Sequence, residues 1–194
     1  LEVNVDPVQT AQLQRLGISS FMGGYRTVPE MRAFLEQKVA QYPSLTRFFV
    51  YGQSWEKTQN AQVGHDLFGI ELTNKQRPGP KPTLFLLAAI HARELTTSEI
   101  ALRLVDYLLS NYGTDGDATW LLDEHQIVIV PVANPDGRRL AEQGYYQRKN
   151  TNRSYNAPSE QCDDPPFTFN HYGVDLNRNS SFEWGVVNLS LIHI

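Results

Sequence analysis

The chain has 194 residues, with a hydrophobic fraction of 41% and a charged fraction of 20%, which suit one globular domain with a sizeable core. Its net charge of −4 argues against a nucleic-acid partner, and the default interpretation of its two basic pairs, Arg138-Arg139 and Arg148-Lys149, is a solvated surface. No apolar stretch is long enough to span a membrane, and the chain does not open with a signal peptide, so we expect that an export signal is absent or has been removed.

A lead-in segment and a helix come first. Residues 1–20 show no clean period and are predicted to be a lead-in rather than a domain. Thr27 and Glu30 form the Thr-x-x-Glu pattern of a capping box, which predicts a helix that runs to about Gln41.

Apolar runs predict four strands, at residues 45–51, 67–72, 83–90 and 126–132. The third run is apolar almost throughout, which predicts a strand buried on both faces. A strong helix is predicted to follow it, with Thr96 and Glu99 as a second capping box. The order β-β-β-α-β predicts an α/β fold with a mixed, mostly parallel β-sheet flanked by helices.

The residues that follow the third strand point to a metal. In open α/β sheets, ligands lie beyond the carboxyl ends of the strands. His91 and Glu94 stand there, three residues apart, and both are zinc ligands. An imidazole and a carboxylate at the end of a buried strand are unfavourable unless they are paired or coordinated. The pair therefore predicts a metal site, although its spacing is a weak signal by itself.

Three further stretches follow in order. Asn134-Pro135-Asp136-Gly137 is interpreted as a turn, with Gly137 in the left-handed conformation. Residues 139–172 form a long polar and aromatic loop, and loops of this length usually carry function. The loop closes on Gly173-Val174-Asp175-Leu176-Asn177-Arg178-Asn179.

Taken together, these motifs resemble the zinc metallocarboxypeptidases related to pancreatic carboxypeptidase A and bacterial carboxypeptidase T. The matching pieces come in the family's order: His91-Ala92-Arg93-Glu94, Asn134 to Gly137, Gln147-Arg148-Lys149-Asn150, and Gly173 to Asn179. The resemblance covers about residues 21–185. It implies the phosphorylase/hydrolase-like fold of that family, in a C-terminally truncated form.

The resemblance also implies roles for single residues. His91 and Glu94 would be two ligands of one zinc ion, and Arg148 would face the scissile carbonyl oxygen. Asn177 and Arg178 would bind the free C-terminal carboxylate of a peptide, a task that suits the rigid fork of a guanidinium.

Arg93 resembles a residue that lines the next substrate subsite, and a salt-bridged surface arginine is an equally open interpretation. The implied reaction releases C-terminal amino acids from peptides or proteins by zinc-activated water, with a carboxylate that passes the proton to the leaving amine. The resemblance further implies an extracellular, secreted enzyme that acts as a monomer.

One departure from the family is serious. In the family the third zinc ligand, a histidine, and the general-base glutamate lie well beyond the Asn-Arg pair, whereas this chain ends at Ile194. Residues 186–194 do not resemble the family and are predicted to be a non-native or truncated tail. We therefore expect an inactive fragment with weak metal affinity, unless His171 or His193 completes the site, and poor solubility from an exposed apolar sheet edge. The partner that the family commonly gives to a cysteine such as Cys162 would also be missing.

Two other functions stay open at this point. The aspartoacylase and desuccinylase branch also uses His-x-x-Glu with Asp-Leu-Asn-Arg, and it cleaves small N-acyl amino acids. The Ala-Arg of the first motif, the Asn-Pro-Asp-Gly stretch and the aromatic loop favour the peptidase. A non-catalytic family member that binds peptide C-termini is the other alternative.

Overall fold

The structure, a computed structural model, describes residues 24–154, 162–168 and 172–181. The predicted lead-in and the predicted tail lie outside these residues, as do His171 and His193. No helix in the described part of the chain is both long and apolar enough to cross a membrane. The described elements, in chain order, are α1 (Val28–Gln41), β1 (Thr46–Gln53), α2 (Trp55–Gln59), β2 (Asp66–Leu72), β3 (Thr83–Leu87), α3 (Leu95–Ser110), α4 (Gly116–Glu124), β4 (Gln126–Val130), α5 (Pro135–Glu142) and a 3-10 turn (Leu176–Arg178).

Helix α1 has the predicted start. The backbone N–H of Thr27 donates to the Glu30 carboxylate at 2.7 Å, which satisfies a donor that the first turn of a helix otherwise leaves unpaired. The capping box predicted at Thr96 and Glu99 is wrong, because α3 begins at Leu95. The buried Glu99 carboxylate instead accepts the backbone N–H of Arg26 at 2.7 Å and pairs with the Arg26 guanidinium.

The four strands form one sheet in the order β1-β2-β4-β3. The prediction of a mixed sheet is confirmed, since β3 pairs with β4 in parallel and β2 pairs with both β1 and β4 antiparallel. The expectation of mostly parallel pairing does not hold for these strands. The chain between β1 and β2 carries only the five-residue α2, too short for a crossover over the sheet, whereas β3 and β4 are joined through α3 and α4.

Strand β3 is the main correction to the sequence analysis. It ends at Leu87 instead of Ile90, and it lies at the edge of the described sheet rather than between two strands. Leu84 and Phe85 are 51% and 59% exposed, so the predicted burial on both faces is wrong. The apolar composition of β3 indicated a central strand, but the composition of one strand does not specify which strands pair with it. The predicted apolar sheet edge is therefore a feature of the described structure.

The core lies between the central strands and the helices. Ile70 and Leu72 of β2 and Ile129 of β4 are fully buried, and the apolar face of α3 packs in the same cluster through Leu102 and Val105. Burial of this kind contributes about 25 cal/mol for each Å² of apolar surface removed from water. It fixes α3 beside the sheet, and α3 begins directly after Glu94.

A buried arginine connects two helices and the segment ahead of a third. Arg138 of α5 has no exposed surface, contrary to the interpretation of Arg138-Arg139 as solvated. Its guanidinium donates to the Glu142 carboxylate at 3.0 Å, to the Leu95 carbonyl at 3.1 Å and to the Arg26 carbonyl at 2.8 Å. Burial lowers the pKa of Arg138, and Glu142 opposes that shift. The guanidinium thereby ties α5 to the start of α3 and to the segment ahead of α1.

We expect Arg138→Ala to lower the free energy of unfolding by about 3–5 kcal/mol, because it leaves Glu142 and two carbonyls without their buried donor. The matched control is Arg47→Ala, which removes a largely exposed arginine paired with Glu71 and should cost less than about 1 kcal/mol. Urea denaturation measures both. Equal losses of unfolding free energy in the two variants would contradict the stabilising role of the Arg138 hydrogen bonds.

We also expect Phe85→Lys on β3 to raise the soluble fraction of the protein and to reduce its high-molecular-weight species in size-exclusion chromatography, because an edge lysine blocks strand-to-strand association. Trp120→Lys is the control, since Trp120 is 57% exposed but lies on α4, away from the edge. An equal gain from both variants would show that general surface polarity, not the edge, limits solubility.

Candidate active site

The chain leaves the sheet sharply after β3. The backbone N–H of Ala88 still donates to Val130 at 2.9 Å, and the Ala88 carbonyl accepts from Ala133 at 2.9 Å. Ala89 then adopts a φ of 49°, in the left-handed region that non-glycine residues rarely occupy, and its N–H donates to the Thr97 hydroxyl at 3.1 Å. This strained turn delivers His91 to the carboxyl end of the sheet.

His91 and Glu94 face each other as the sequence analysis predicted. Nδ1 of His91 lies 2.8 Å from Oε1 of Glu94. The His91 side chain is 10% exposed, whereas that of Glu94 is 45% exposed and faces the solvent side. Two ligands of a tetrahedral zinc ion stand about 3.4 Å apart, so a small opening of the pair would fit the ion. The described residues hold no group of three His, Cys, Asp or Glu side chains that could bind a metal.

Asp175 lies behind the imidazole. Its Oδ1 is 3.3 Å from Nε2 of His91, without the alignment of a hydrogen bond, and its Oδ2 accepts from Nε of Arg148 at 3.0 Å. Burial is the largest influence on the pKa of Asp175 and raises it, but the Arg148 guanidinium and the Asn177 N–H together outweigh burial and hold that pKa below its usual value. An ionised Asp175 favours a proton on Nε2, which leaves Nδ1 as the nitrogen that can bind a metal.

Arg148 stands between two carboxylates. Besides its bond to Asp175, its Nη1 lies 4.0 Å from Oε1 of Glu94. The Arg148 side chain is 26% exposed. The structure thus brings His91, Glu94 and Arg148 together from two distant parts of the sequence.

The Asn134 motif holds these parts in contact. The Ala92 N–H donates to the Arg148 carbonyl at 3.0 Å, and the Asn134 amide donates to the same carbonyl at 3.3 Å. Asn134 is also the N-cap of α5, where its side chain accepts from the Gly137 N–H at 3.1 Å. The interpretation of this motif as a simple turn is wrong, because it begins a helix.

Gly137 is required for close packing rather than for a left-handed conformation. A Cβ there would lie 2.7 Å from the Lys149 carbonyl oxygen and 2.8 Å from the Ala92 Cβ. Its φ is not positive, so the predicted left-handed conformation is also wrong. The missing side chain lets α5 approach the Lys149 backbone in the Arg148 segment and the Ala92 side chain in the His91 segment.

The Arg148 segment is bonded to the Asp175 segment by its backbone. Asn150 accepts from the Val174 N–H at 2.8 Å through its side chain and donates its own N–H to the Val174 carbonyl at 3.0 Å. The fully buried Gln147 amide donates to the carbonyls of Lys149, Asn150 and Tyr172 at 2.9–3.1 Å. These bonds place Arg148 and Asp175 side by side.

Asn177 and Arg178 are placed differently from each other. Asn177 lines a cavity of about 370 Å³ together with His91, Glu94 and the apolar residues Leu87 and Ile100. Arg178 follows it in the 3-10 turn, where its Nη1 donates to the Asn177 carbonyl at 3.0 Å. The described contacts therefore bring Asn177, but not the Arg178 guanidinium, to the pair at the end of β3.

The Arg93 side chain stacks on an aromatic ring. Its guanidinium carbon lies 4.1 Å above the centroid of the Tyr146 ring, a cation–π distance. Both interpretations offered by the sequence had Arg93 as a polar contact, and neither anticipated an aromatic partner.

The sequence analysis quoted the motifs that contain Asp175, Gln147, Gly137 and Gly173 but did not identify how these residues support the site. Each acts by contact with residues distant in the sequence, so no local period or propensity marks that role.

The zinc carboxypeptidase family model matches residues 31–191. The chain belongs to the zinc carboxypeptidase family. It is 28% identical over 190 residues to a zinc carboxypeptidase of Saccharothrix mutabilis subsp. capreolus. The aligned region covers 90% of this chain and 39% of that relative. It is 30% identical over 174 residues to mouse carboxypeptidase A2, with 90% of this chain and 37% of the relative covered. This zinc carboxypeptidase chain therefore spans about two fifths of the length of these relatives.

Solved structures support the same fold. The crystal structure of thrombin activatable fibrinolysis inhibitor matches with a TM-score of 0.69 and 25% identity, over 86% of this chain and 37% of that one. The carboxypeptidase A of Helicoverpa armigera matches with a TM-score of 0.68 and 26% identity, over 87% and 37% of the two chains. The predicted zinc carboxypeptidase fold is confirmed. The family match ends at residue 191 and so includes part of the stretch predicted to be a non-family tail, whose origin stays a prediction.

We expect Gly173→Ala to be strongly destabilising. Gly173 has a φ of +106°, and a Cβ there would overlap the carbonyl oxygen of Asn150, which belongs to the Asn150–Val174 connection. Gly113→Ala is the control, because Gly113 has a φ of +83° but open space around it. The control should cost about 1–2 kcal/mol from backbone strain, and Gly173→Ala about 1–3 kcal/mol more from overlap. Urea denaturation measures the free energy of unfolding of both variants. Equal losses would contradict the close approach of the Asn150 carbonyl to Gly173.

Proposed function

We propose that this chain carries part of the catalytic site of a zinc-dependent carboxypeptidase that releases C-terminal amino acids from peptides. The observation that supports it most is the approach of His91 Nδ1 to Glu94 Oε1, 2.8 Å apart at the carboxyl end of β3. The Arg148 guanidinium lies beside this pair. An imidazole, a carboxylate and a guanidinium in one place are the groups that metal-assisted acyl transfer requires.

In this proposal His91 and Glu94 hold one zinc ion, which when bound lowers the pKa of a water molecule and polarises the scissile carbonyl. His91 binds through Nδ1 because the Asp175 carboxylate lies on the side of Nε2. We assign no residue of this sequence to the third ligand or to the carboxylate that carries the proton to the leaving amine.

Arg148 is proposed to stabilise the negative charge that develops on the scissile carbonyl oxygen. Its position is fixed by Asp175, so little reorganisation is needed when the charge forms. One such preorganised donor contributes about 3–4 kcal/mol to the stability of a transition state.

Asn177 and Arg178 are proposed to bind the C-terminal carboxylate of the substrate. Asn177 lines the same cavity as His91 and Glu94, which supports its role directly. Arg178 would have to leave the Asn177 carbonyl and turn its guanidinium towards the cavity. A neutral amide and a guanidinium fork together suit a planar carboxylate.

The two alternatives lead to different products. An aspartoacylase-like enzyme would cleave small N-acyl amino acids and leave longer peptides intact, and a non-catalytic member would bind peptide C-termini without cleavage. The extended aromatic stretch around Tyr146 favours a substrate longer than an N-acyl amino acid, because that stretch lies beside the site. An extracellular location and a monomeric state belong to the same proposal and are supported by the resemblance alone.

We expect the full-length product of this gene to cleave blocked dipeptides that end in a free carboxylate and to leave the same dipeptides intact when they end in an amide. Arg178→Lys should lower kcat/KM about 10- to 100-fold, because an ammonium cannot make the paired hydrogen bonds of a guanidinium. Chromatography of the released amino acid measures both.

Arg103→Lys on the exposed side of α3 is the control and should leave kcat/KM unchanged. Equal cleavage of the acid and the amide would rule out recognition of a C-terminal carboxylate. Cleavage of N-acyl amino acids but not of peptides would favour the aspartoacylase-like alternative, and tight binding without turnover would favour the non-catalytic one.

A further inference from the structure

We infer that Thr97 is a positioning residue that holds the two proposed zinc ligands, His91 and Glu94, in their paired geometry. The inference rests on the proposed function, and it names the side chain that sets how tightly this part of the site binds zinc. Thr97 is half-buried and lines the same cavity as His91 and Glu94. Its hydroxyl contacts the backbone at both ends of the segment that carries the pair.

That segment, residues 89–94, lies in the connection from β3 to α3. The Thr97 hydroxyl accepts the backbone N–H of Ala89 at 3.1 Å and donates to the backbone carbonyl of Glu94 at 2.7 Å. These two bonds use the donor and an acceptor site of one hydroxyl at the same time. They therefore fix the first residue of the segment relative to the last.

The backbone of Ala89 depends on this contact. Its φ of 49° lies in the left-handed region, which is unfavourable for a residue with a Cβ and persists only where the surroundings hold it. Ala89 is 2% exposed, so its N–H needs an acceptor from within the protein. Because His91 follows only two residues later, relaxation of Ala89 would move the imidazole relative to Glu94.

At the other end, Thr97 holds the residue that begins α3. Glu94 is the N-cap of α3, a position where a side chain usually accepts an N–H of the first turn. The Glu94 side chain makes no such bond and meets Nδ1 of His91 instead. Thr97 bonds the Glu94 carbonyl through both its hydroxyl, at 2.7 Å, and its backbone N–H, at 3.2 Å. The Glu94 backbone is thereby fixed while its carboxylate stays available to a metal.

The neighbouring Thr96 provides a matched comparison. It is exposed, and its hydroxyl lies 3.1 Å from the hydroxyl of Tyr25, in the segment ahead of α1. Replacement of either threonine by valine removes one hydroxyl, keeps the β-branched shape and leaves a similar helix propensity. The Thr97 replacement removes two bonds to the ligand segment, whereas the Thr96 replacement removes the contact with Tyr25.

Zinc affinity of the 194-residue chain, measured by competition with a chelator, tests the inference. We expect Thr97→Val to weaken Zn²⁺ binding about 3- to 30-fold, because loss of a residue that orients a metal ligand commonly lowers affinity by about tenfold or more. Thr97→Ser keeps the hydroxyl and should bind Zn²⁺ within about twofold of the unmodified chain, as should Thr96→Val.

A second readout needs no metal. In hydrogen-exchange NMR of the zinc-free chain, we expect Thr97→Val to speed exchange of the Ala89 N–H about tenfold or more. The Ala133 N–H, which donates to the carbonyl of the adjacent Ala88, is the internal control and should change less than about twofold. A general loss of stability would speed exchange at both positions alike.

Three results would each overturn the inference: equal zinc affinity in Thr97→Val and Thr96→Val, a loss in Thr97→Ser as large as in Thr97→Val, or equally faster exchange at Ala89 and Ala133. If the unmodified chain binds no zinc, the proposed function fails and the inference fails with it. Zinc binding by the unmodified chain that Thr97→Val leaves intact would overturn the inference alone.

Discussion

The candidate site depends on the Asp175 carboxylate, which the side chains of Arg148 and His91 both approach. Arg148 reaches one oxygen at 3.0 Å, and Nε2 of His91 lies 3.3 Å from the other. These groups come from three separate stretches of the sequence. A buried carboxylate needs partners, so the electrostatic requirement of Asp175 is satisfied only when the three stretches assemble. The same contact aims Nδ1 of His91 at Glu94.

Close backbone approach makes this contact possible. Gly137 admits the Lys149 carbonyl beside α5, and Gly173 admits the Asn150 carbonyl beside the Asp175 segment. At either position a Cβ would separate elements that carry functional side chains. The Gln147 amide donates to both of these carbonyls. These buried polar contacts therefore connect the segments of the site through their backbones. The apolar core holds α3 against the sheet.

The sequence predicted the parts of this structure that depend on local pattern. The capping box at Thr27, the four strands and the His91–Glu94 pair were read from spacing and composition, and the order of four motifs indicated the family. It could not predict features set by distant neighbours. The apolar run of β3 indicated a buried strand, yet β3 lies at the edge of the described sheet and Phe85 is 59% exposed. Arg138 looked like a surface residue, because nothing local shows that the segment ahead of α1 and the start of α3 meet its guanidinium.

The central claim is that His91 and Glu94 bind one metal ion, and zinc affinity measured by competition with a chelator tests it most directly. The account predicts that the 194-residue chain binds one Zn²⁺ weakly, and that His91→Ala or Glu94→Gln each weakens binding about tenfold or more. His65→Ala, which removes a half-buried histidine outside the site, should leave the affinity unchanged. Equal zinc affinity in all four proteins would contradict the account.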